Sequence, residues 1–329
     1  MTVYLLLGLA SFILTLLLTP LIGRGSTWLG LVDAPGGRKV HAQSVPRLGG
    51  LAVCLAAIAA LGLVSAFGPG TIGTSNWLAM RPFLLSGGVI FLVGLIDDVR
   101  GLAAGPKLLF EIGAASLLMS SGLLIEHITL LGHTWPLGWL AWPVTLMWLV
   151  GLTNAFNLID GIDGLATGIA VLAGAACGAI LVARGHAAEA MLLAVLVGGA
   201  LGFLFFNFAP ASIFLGDSGS LVIGFLLAST AITGWQKGAT ALAAGVPLMI
   251  FALPIADSAL ALFRRSLATP SNGRSFRSTL QHIAQPDREH IHHRLLAMGW
   301  SVRRTVLVLY GVTLMLSLLA LATAEMSTP

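Results

Sequence analysis

The chain has 329 residues, of which 57% are hydrophobic and only 9% are Asp, Glu, Lys or Arg. A soluble domain carries about 25% charged residues, so this composition excludes an ordinary soluble protein and indicates an integral membrane protein. The formal net charge of +4 comes without the interleaved basic and aromatic residues of a nucleic-acid groove, so no nucleic acid is expected as a partner.

Ten apolar segments are long enough to cross a bilayer. In chain order they lie at about 3–23, 48–67, 82–96, 106–124, 138–157, 164–183, 188–208, 218–234, 240–264 and 304–323. Because open sheet edges cannot be satisfied in hydrocarbon, the predicted fold is all-α, a polytopic membrane protein with a bundle of about ten transmembrane helices. We expect residues 1–329 to form a single integral-membrane domain, with the first segment a spanning helix and not a signal peptide.

The basic residues predict the orientation of this bundle. Of the 17 Lys and Arg residues, all except Arg81, Arg184 and Lys237, and therefore 14, lie in or beside the connections after segments 1, 3, 5, 7 and 9. Since cytoplasmic loops carry an excess of Lys and Arg, those connections are expected inside the cell and both termini outside. The same connections hold most of the unusual polar residues, which predicts catalytic loops at the cytoplasmic face.

The first two of these connections contain basic residues and a carboxylate pair. After segment 1 comes "DAPGGRKVHAQSVPRLGG", with Lys39 and Arg47, and segment 3 ends in "GLIDDVRGL", with Asp97 and Asp98. A solvated helix end would explain one aspartate. Two adjacent carboxylates at a membrane surface repel each other unless a cation lies between them, and Mg²⁺ is typically held by one or two carboxylates plus substrate phosphates.

A third polar connection, "TNAFNLIDGIDGLATG" at residues 153–168, follows segment 5. Its polar side chains recur at every third position, at Asn154, Asn157, Asp160 and Asp163. A continuous helix would spread them over about half its circumference. The glycines within the string predict instead that the helix ends after Asp160 and that the two amides point into a site. The alternative is an amide-rich helix end followed by a polar turn.

The string "FLGDSGS" places Asp217 at the start of segment 8. The letters GDSG also surround the nucleophile of some serine proteases, but those are β-rich soluble proteins, which this chain is not. Asp217 could be a simple helix cap. Its place on the same face as the other acidic residues favours a metal ligand.

The last polar connection ends in "DREHIHHRL", with His290, His292, His293 and Arg294. Histidines separated by one and two residues do not have the usual zinc spacing, and neighbouring arginines attract phosphate. We therefore interpret the string as a phosphate or sugar clamp, with a zinc site as the alternative. Asp257 lies in a proline-containing apolar segment, where an ionisable residue is either functional or a buried tie between helices.

Together these strings resemble the polyprenyl-phosphate N-acetylhexosamine-1-phosphate transferase superfamily, whose motifs occur in this order over nearly the whole chain. The His-x-His-His string resembles the bacterial branch that initiates O-antigen, enterobacterial common antigen or teichoic-acid linkage synthesis. The resemblance implies transfer of an N-acetylhexosamine 1-phosphate, GlcNAc 1-phosphate first among them, from a UDP-sugar to undecaprenyl phosphate. It further implies release of UMP, dependence on Mg²⁺ with Mn²⁺ as a substitute, and residence in the bacterial inner membrane.

The resemblance also implies a role for each candidate residue. Asp97 and Asp98 are the candidate catalytic residues, with Asp97 deprotonating or orienting the lipid phosphate and Asp98 alternatively helping to hold the metal. Asn157 and Asp217 are the candidate metal ligands. The substrate-binding candidates are Lys39, Arg47, Lys107, Asn154, Asp160, Asp163, His290, His292, His293 and Arg294.

Two other functions fit parts of the pattern. A transporter or channel with an acidic mouth should place charges near the membrane midplane, often in two repeated halves. Only Asp257 fits that description. A phosphotransferase acting on CDP-activated alcohols would need its own Asp-rich signature with an arginine, which the sequence lacks. Membrane lipids are expected partners, and a homodimer is a candidate assembly.

Overall fold

The structure is a computed structural model that describes residues 1–33, 44–67, 72–130, 133–235, 245–268 and 290–325. Lys39 therefore lies outside the described residues. Helices dominate the described part of the chain. They are α1 (Thr2–Trp28), α2 (Gly49–Phe67), α3 (Thr74–Arg100), α4 (Ala104–Met119), α5 (Ala141–Ile159), α6 (Leu165–Ala183), α7 (Ala187–Asn207), α8 (Asp217–Trp235), α9 (Gly245–Ile250), α10 (Ala252–Ala268), α11 (Ile291–Ala297) and α12 (Val302–Glu325).

The all-α membrane fold predicted from the sequence is confirmed. Within the described ranges, eight helices are long and apolar enough to cross a membrane, namely α1, α2, α3, α5, α6, α7, α8 and α12. Helix α4 has 16 residues and begins close to the predicted fourth segment. The predicted ninth segment corresponds to α9 and α10 together.

The ninth segment is broken because of its prolines. Pro254 lies in the first turn of α10, and its ring cannot fit beside the carbonyl of Ile250, four residues earlier, in a continuous helix. Helix α9 accordingly ends at Ile250, and α10 begins after the single turn residue Phe251. Helical hydrogen bonds flank this residue, from Phe251 N to the Pro247 oxygen at 2.9 Å and from Ile255 N to the Phe251 oxygen at 3.0 Å, so the interruption is confined to Phe251.

Two short hairpins were not predicted. Strand β1 (Val32–Asp33) pairs antiparallel with β2 (Val45–Pro46), and β3 (His127–Leu130) pairs antiparallel with β4 (His133–Pro136). Strands of two to four residues are too short to show an alternating pattern. The β3–β4 hairpin follows the far end of α4, opposite the end that carries Lys107.

Helix α8 is the most enclosed of the spanning helices. Of its apolar window 83% is buried, against 22% for α1 at the periphery. Glycines let neighbouring backbones approach its first turn, since a Cβ atom on Gly50 of α2 would lie 2.1 Å from the nitrogen of Gly219. A Cβ atom on Gly94 of α3 would lie 2.6 Å from the carbonyl oxygen of Asp217. The start of α8 is therefore fixed by direct backbone packing.

Candidate active site

Asp217 is the first residue of α8, and a carboxylate from another helix caps that helix. Asp98, at the end of α3, accepts hydrogen bonds from the backbone nitrogens of Asp217 at 2.8 Å and Ser218 at 3.0 Å. These are the first backbone donors of α8, which have no partner within the helix. Asp98 is only 6% exposed. Its side chain thus holds the position of Asp217.

Lys107 joins two of the predicted acidic residues. Its Nζ lies 3.0 Å from Oδ2 of Asp97 and also forms an ion pair with Asp217. The other oxygen of Asp97 accepts a hydrogen bond of 2.6 Å from the backbone nitrogen of Leu102, which fixes the start of the α3–α4 connection. Asp97 of α3, Lys107 of α4 and Asp217 of α8 therefore meet at one point.

The two predicted amides have different surroundings. Asn157 donates from Nδ2 to Oδ1 of Asp217 at 2.9 Å, and its Oδ1 lies 3.5 Å from Nζ of Lys107. Asn154 instead donates to the buried carboxylate of Glu111 and to the backbone oxygen of Val150. We call Asp97, Lys107, Asn157 and Asp217 the acidic cluster. Asn154 lies beside this cluster and contacts α4.

The donor set of the acidic cluster suits a hard divalent cation. In the part of the chain that the structure describes, no three His, Cys, Asp or Glu side chains form a closed metal site. Mg²⁺ does not need one, because it usually takes one or two carboxylates and completes its shell with waters and substrate phosphates. The Lys107 ammonium already lies among the oxygens of Asp97, Asp217 and Asn157, so this position favours positive charge.

A cavity of about 1080 Å³ opens beside the acidic cluster. Its wall combines carboxylates, two arginines, one histidine and the backbone of two connecting segments. The lining residues include Asp33, Arg47, Asp98, Asp160, Gly161, Asp163, Pro210, Asp217, His293, Ser301 and Arg303. A cavity of this size with convergent polar groups is typical of a small-molecule site.

Asp160 and Asp163 lie on the cavity wall, and α5 ends at Ile159, as the glycines of this string predict. Asp163 accepts a hydrogen bond of 2.9 Å from the backbone nitrogen of Ala211 and so holds the facing segment in place. Partial burial, followed by the negative charges of Asp217, Asp98 and Asp163, raises the pKa of Asp160 well above its usual range. A negative charge on Asp160 is therefore unfavourable unless a cation lies nearby.

The histidine cluster, His290, His292 and His293, begins α11 and is mostly buried. His290 and His292 are 4% and 1% exposed, and their rings stack in parallel with centroids 5.7 Å apart. Only His293 of the three lines the cavity. Burial, together with the neighbouring His293, lowers the pKa of His292 to about 4. Arg294 is exposed and is not among the residues that line the cavity.

Arg303 lines the cavity but was not among the sequence candidates. Its Nε donates to the backbone oxygen of Ala209 at 2.8 Å, which orients the guanidinium along the cavity wall. The sequence counted Arg303 only as a topology-determining charge. Its position ten residues after His293 was the available signal, but neighbouring Arg304 looks identical in sequence and instead stacks on Trp300 at 4.3 Å.

The helical bundle and this site define an integral membrane protein with a polar, arginine-containing cavity, which suits anionic substrates. The family model described as glycosyl transferase family 4 matches residues 80–235 of the chain. The chain is 36% identical to the probable undecaprenyl-phosphate N-acetylglucosaminyl 1-phosphate transferase of Bacillus subtilis (strain 168), over 95% of this chain and 83% of that protein.

Two further relatives give the same result. The decaprenyl-phosphate N-acetylglucosaminephosphotransferase of Mycobacterium leprae is 36% identical over 93% of this chain and 80% of its own length. The phospho-N-acetylmuramoyl-pentapeptide-transferase of Listeria monocytogenes serotype 4b is 31% identical over 84% of each chain. The chain therefore belongs to glycosyl transferase family 4, in the superfamily of polyprenyl-phosphate N-acetylhexosamine-1-phosphate transferases. The transferase prediction is confirmed, and the transporter alternative has no support.

Proposed function

We propose that this enzyme transfers GlcNAc 1-phosphate from UDP-GlcNAc to undecaprenyl phosphate and releases UMP, which initiates a lipid-linked cell-envelope glycan. The observation that carries the proposal is the acidic cluster at the edge of an arginine-lined cavity. The names of the relatives from Bacillus subtilis and Mycobacterium leprae support both the N-acetylglucosamine donor and the polyprenyl-phosphate acceptor.

The reaction requires two anionic phosphates to approach each other. An oxygen of the lipid phosphate attacks the β-phosphorus of the UDP-sugar. The bond from that phosphorus to the bridging oxygen breaks, and UMP leaves. Positioning and charge neutralisation supply most of the catalysis in such transfers. Lys107 is suited to this task because it offers a cation at the meeting point of the two substrates.

Asp97 and Asp98 would have separate roles. Asp97 is bound to Lys107, so it would orient that ammonium and the lipid phosphate. The second pKa of a phosphate is near 6, so little proton removal is needed at pH 7. Asp98 has both oxygens bound to backbone nitrogens, which supports a positioning role over proton transfer.

Asp217 and Asn157 would hold Mg²⁺, with Mn²⁺ as a substitute, and the ion when bound would neutralise phosphate charge as a Lewis acid. Asp217 offers a carboxylate at a point fixed by Asp98, and Asn157 holds that carboxylate in one orientation through its 2.9 Å hydrogen bond. Lys107 already binds the other oxygen of Asp217, so the ion would share that carboxylate with the ammonium or replace it there.

The cavity would receive the nucleotide-sugar. Arg47 and Arg303 are the cations on its wall, and His293 adds a further donor. Because Arg303 uses Nε for Ala209, its two terminal nitrogens are the ones left to donate as a pair to a phosphate. Asp160 and Asp163 would face the uridine or the sugar, where hydroxyl and amide donors can pair with carboxylates.

The purified enzyme tests the proposal directly. We expect UMP release only when undecaprenyl phosphate, a divalent cation and a UDP-N-acetylhexosamine are all present, with UDP-GlcNAc the best donor. EDTA should stop the reaction, and Mg²⁺ or Mn²⁺ should restore it. Undiminished UMP release in EDTA, or a donor other than UDP-GlcNAc used at a higher kcat/KM, would contradict the proposal.

We also propose that the site faces the cytoplasm of the bacterial inner membrane. The distribution of basic residues supports this orientation. Both native cysteines are buried, so single cysteines can be introduced at exposed positions. His133→Cys on the hairpin should react with an impermeant maleimide in spheroplasts, whereas Met298→Cys beside α11 should react only after permeabilisation. The reverse pattern would contradict the orientation.

A further inference from the structure

Asp257 is a buried carboxylate that the proposed reaction does not use. It lies in the apolar first half of α10 and is 2% exposed. Burying a carboxylate is costly unless it is paired and hydrogen-bonded. The partners of Asp257 therefore indicate why this side chain occupies that position.

Both partners belong to the histidine cluster and its helix. Oδ2 of Asp257 lies 2.8 Å from Nδ1 of His290, and Oδ1 accepts a hydrogen bond of 2.7 Å from the backbone nitrogen of Ile291. The two side chains are 3% and 5% exposed. The Asp257 carboxylate thus holds both the first turn of α11 and the His290 ring, although these residues lie more than 30 positions later in the chain.

The contact also determines which nitrogen of His290 carries a proton. An ionised carboxylate only accepts hydrogen bonds, so Nδ1 of His290 must be the protonated nitrogen. A helix cap alone would need a single oxygen of Asp257 and would leave the ring free to take either tautomer. The second oxygen, bound to the imidazole, is the part of the arrangement that capping does not explain.

The fixed ring is connected to the cavity through its neighbours. His290 stacks on His292, whose ring centroid lies 4.3 Å from that of His293. The His292 ring also packs against the backbone of Gly161, so closely that a Cβ atom at that position would lie only 2.6 Å from Nε2. His293 is the member of the cluster that lines the cavity. A displacement at His290 is therefore passed on to the residue that meets the donor substrate.

We propose that Asp257 is a positioning residue for donor binding, which holds His290 in one tautomer and thereby sets His293 at the cavity wall. This inference rests on the proposed function for the identity of the donor. It assigns to a buried carboxylate of α10 the task of fixing the histidine cluster, whose own helix α11 has only seven residues.

The decisive variant is Asp257→Asn. Its side-chain oxygen can still accept the hydrogen bond from Ile291, but its amide group presents a donor to Nδ1 of His290 and so favours the opposite tautomer. His293 would then lose its hydrogen bond to the charged donor, which should lower kcat/KM for the UDP-sugar roughly tenfold to a hundredfold. We expect the change mainly in the donor KM, with the undecaprenyl-phosphate KM altered less than about twofold.

Two controls separate positioning from a general structural role. Ser258→Ala, at the next residue, should leave both KM values unchanged, since the Ser258 hydroxyl has no hydrogen-bond partner in the described residues. If Asp257 acts through His290, the double variant Asp257→Asn/His290→Gln should be no worse than His290→Gln alone. Losses that multiply in the double variant would overturn the proposal.

A spectroscopic measurement tests the contact without any enzyme assay. In protein with ¹⁵N-labelled histidine, the His290 signals, assigned by their absence in His290→Gln, should show a protonated Nδ1 in the wild type. In Asp257→Asn the proton should move to Nε2. An unchanged tautomer, or an unchanged donor KM in the folded variant, would contradict the proposal. If wild-type protein released no UMP while the tautomer changed as expected, the proposed function would fail and the Asp257–His290 contact would stand.

Discussion

The acidic cluster and the histidine cluster each contribute one residue to the wall of the same cavity, Asp217 and His293, but are built in opposite ways. The acidic cluster takes its side chains from the ends of α3, α4, α5 and α8, and glycines let α3 and α5 pack directly against the backbone of α8. The histidine cluster lies on a short helix of seven residues and is tied to the bundle by one buried carboxylate. Backbone packing at several glycines holds the helices of the acidic cluster, whereas two hydrogen bonds to Asp257 hold the start of α11.

This difference suits the two substrates. A metal and a phosphate need fixed oxygen and nitrogen positions, since an error of about 1 Å can cost a hundredfold in rate. The proposed nucleotide-sugar donor is soluble and must enter and leave, which suits a wall that depends on the short helix α11. Variants of the acidic cluster should therefore affect kcat, and variants of the cavity wall should affect the donor KM.

The largest effect is expected at the acidic cluster. Asp217→Asn removes the charge that would hold the cation, a contribution of several kcal/mol, so kcat should fall at least about a thousandfold. Glu189→Gln, in the first turn of α7 at the opposite end of the bundle, is the matched control and should retain activity. An Asp217→Asn enzyme with near-normal kcat would remove the metal from this account.

The cavity wall should respond more moderately. Arg303→Gln removes a charged hydrogen-bond donor, worth about 1.5–3 kcal/mol, so kcat/KM for the UDP-sugar should fall roughly tenfold to a hundredfold. The adjacent Arg304→Gln has the same charge change, but that side chain stacks on Trp300. Measured side by side, equal losses in the two variants would mean that Arg303 acts only through net charge.

The glycine packing gives a prediction about stability. Gly50→Ala would force a Cβ atom to within 2.1 Å of the α8 backbone, and overpacking of this kind costs about 1–3 kcal/mol. Gly62→Ala lies in the same helix, where nothing is within 4 Å, and should be neutral or slightly stabilising. Thermal unfolding in detergent should show a lower melting temperature for the first variant alone. Equal melting temperatures would mean that α2 and α8 pack less closely than described.

The histidine cluster should make stability depend on pH. The folded pKa of His292 is about 4, whereas an unperturbed histidine has a pKa near 6.5. Between these values the unfolded chain binds a proton that the folded chain does not, so stability present above pH 6.5 is lost as the pH falls towards 4. At pH 5 the loss is about 2 kcal/mol. His292→Gln should flatten the decline in melting temperature between pH 7 and 5, and an identical decline in both proteins would exclude His292 as its source.

The sequence predicted the membrane helices, and it singled out three of the polar residues that the structure brings together, for physical reasons. A spanning helix needs a long apolar run, which is visible in one dimension, and Asp97, Asp217 and Asn157 stand out because polar groups are costly at apolar helix ends. Pairings between distant residues were not visible. Lys107 and Glu111, one turn apart, are the natural pair in sequence, yet Lys107 binds Asp97 and Asp217 while Glu111 binds Asn154.

The histidine cluster shows the same limit more strongly. Its three histidines look equivalent in sequence, but burial separates His293 at the cavity from His290 and His292 behind it. Asp257 was recognised as unusual without a partner, since its partner lies 33 residues further along the chain. Arg303 and Arg304 differ only in which surface each side chain reaches, which no local pattern records.

The most direct test of the central claim follows the β-phosphate of the donor. UDP-GlcNAc labelled with ³²P at the β-position is incubated with enzyme, undecaprenyl phosphate and Mg²⁺, and the organic and aqueous phases are separated. Transfer of the sugar 1-phosphate predicts that the label moves into the lipid phase, with unlabelled UMP formed in equal amount. Label that stays in the aqueous phase as UDP, while the sugar enters the lipid, would show simple glycosyl transfer and contradict the account.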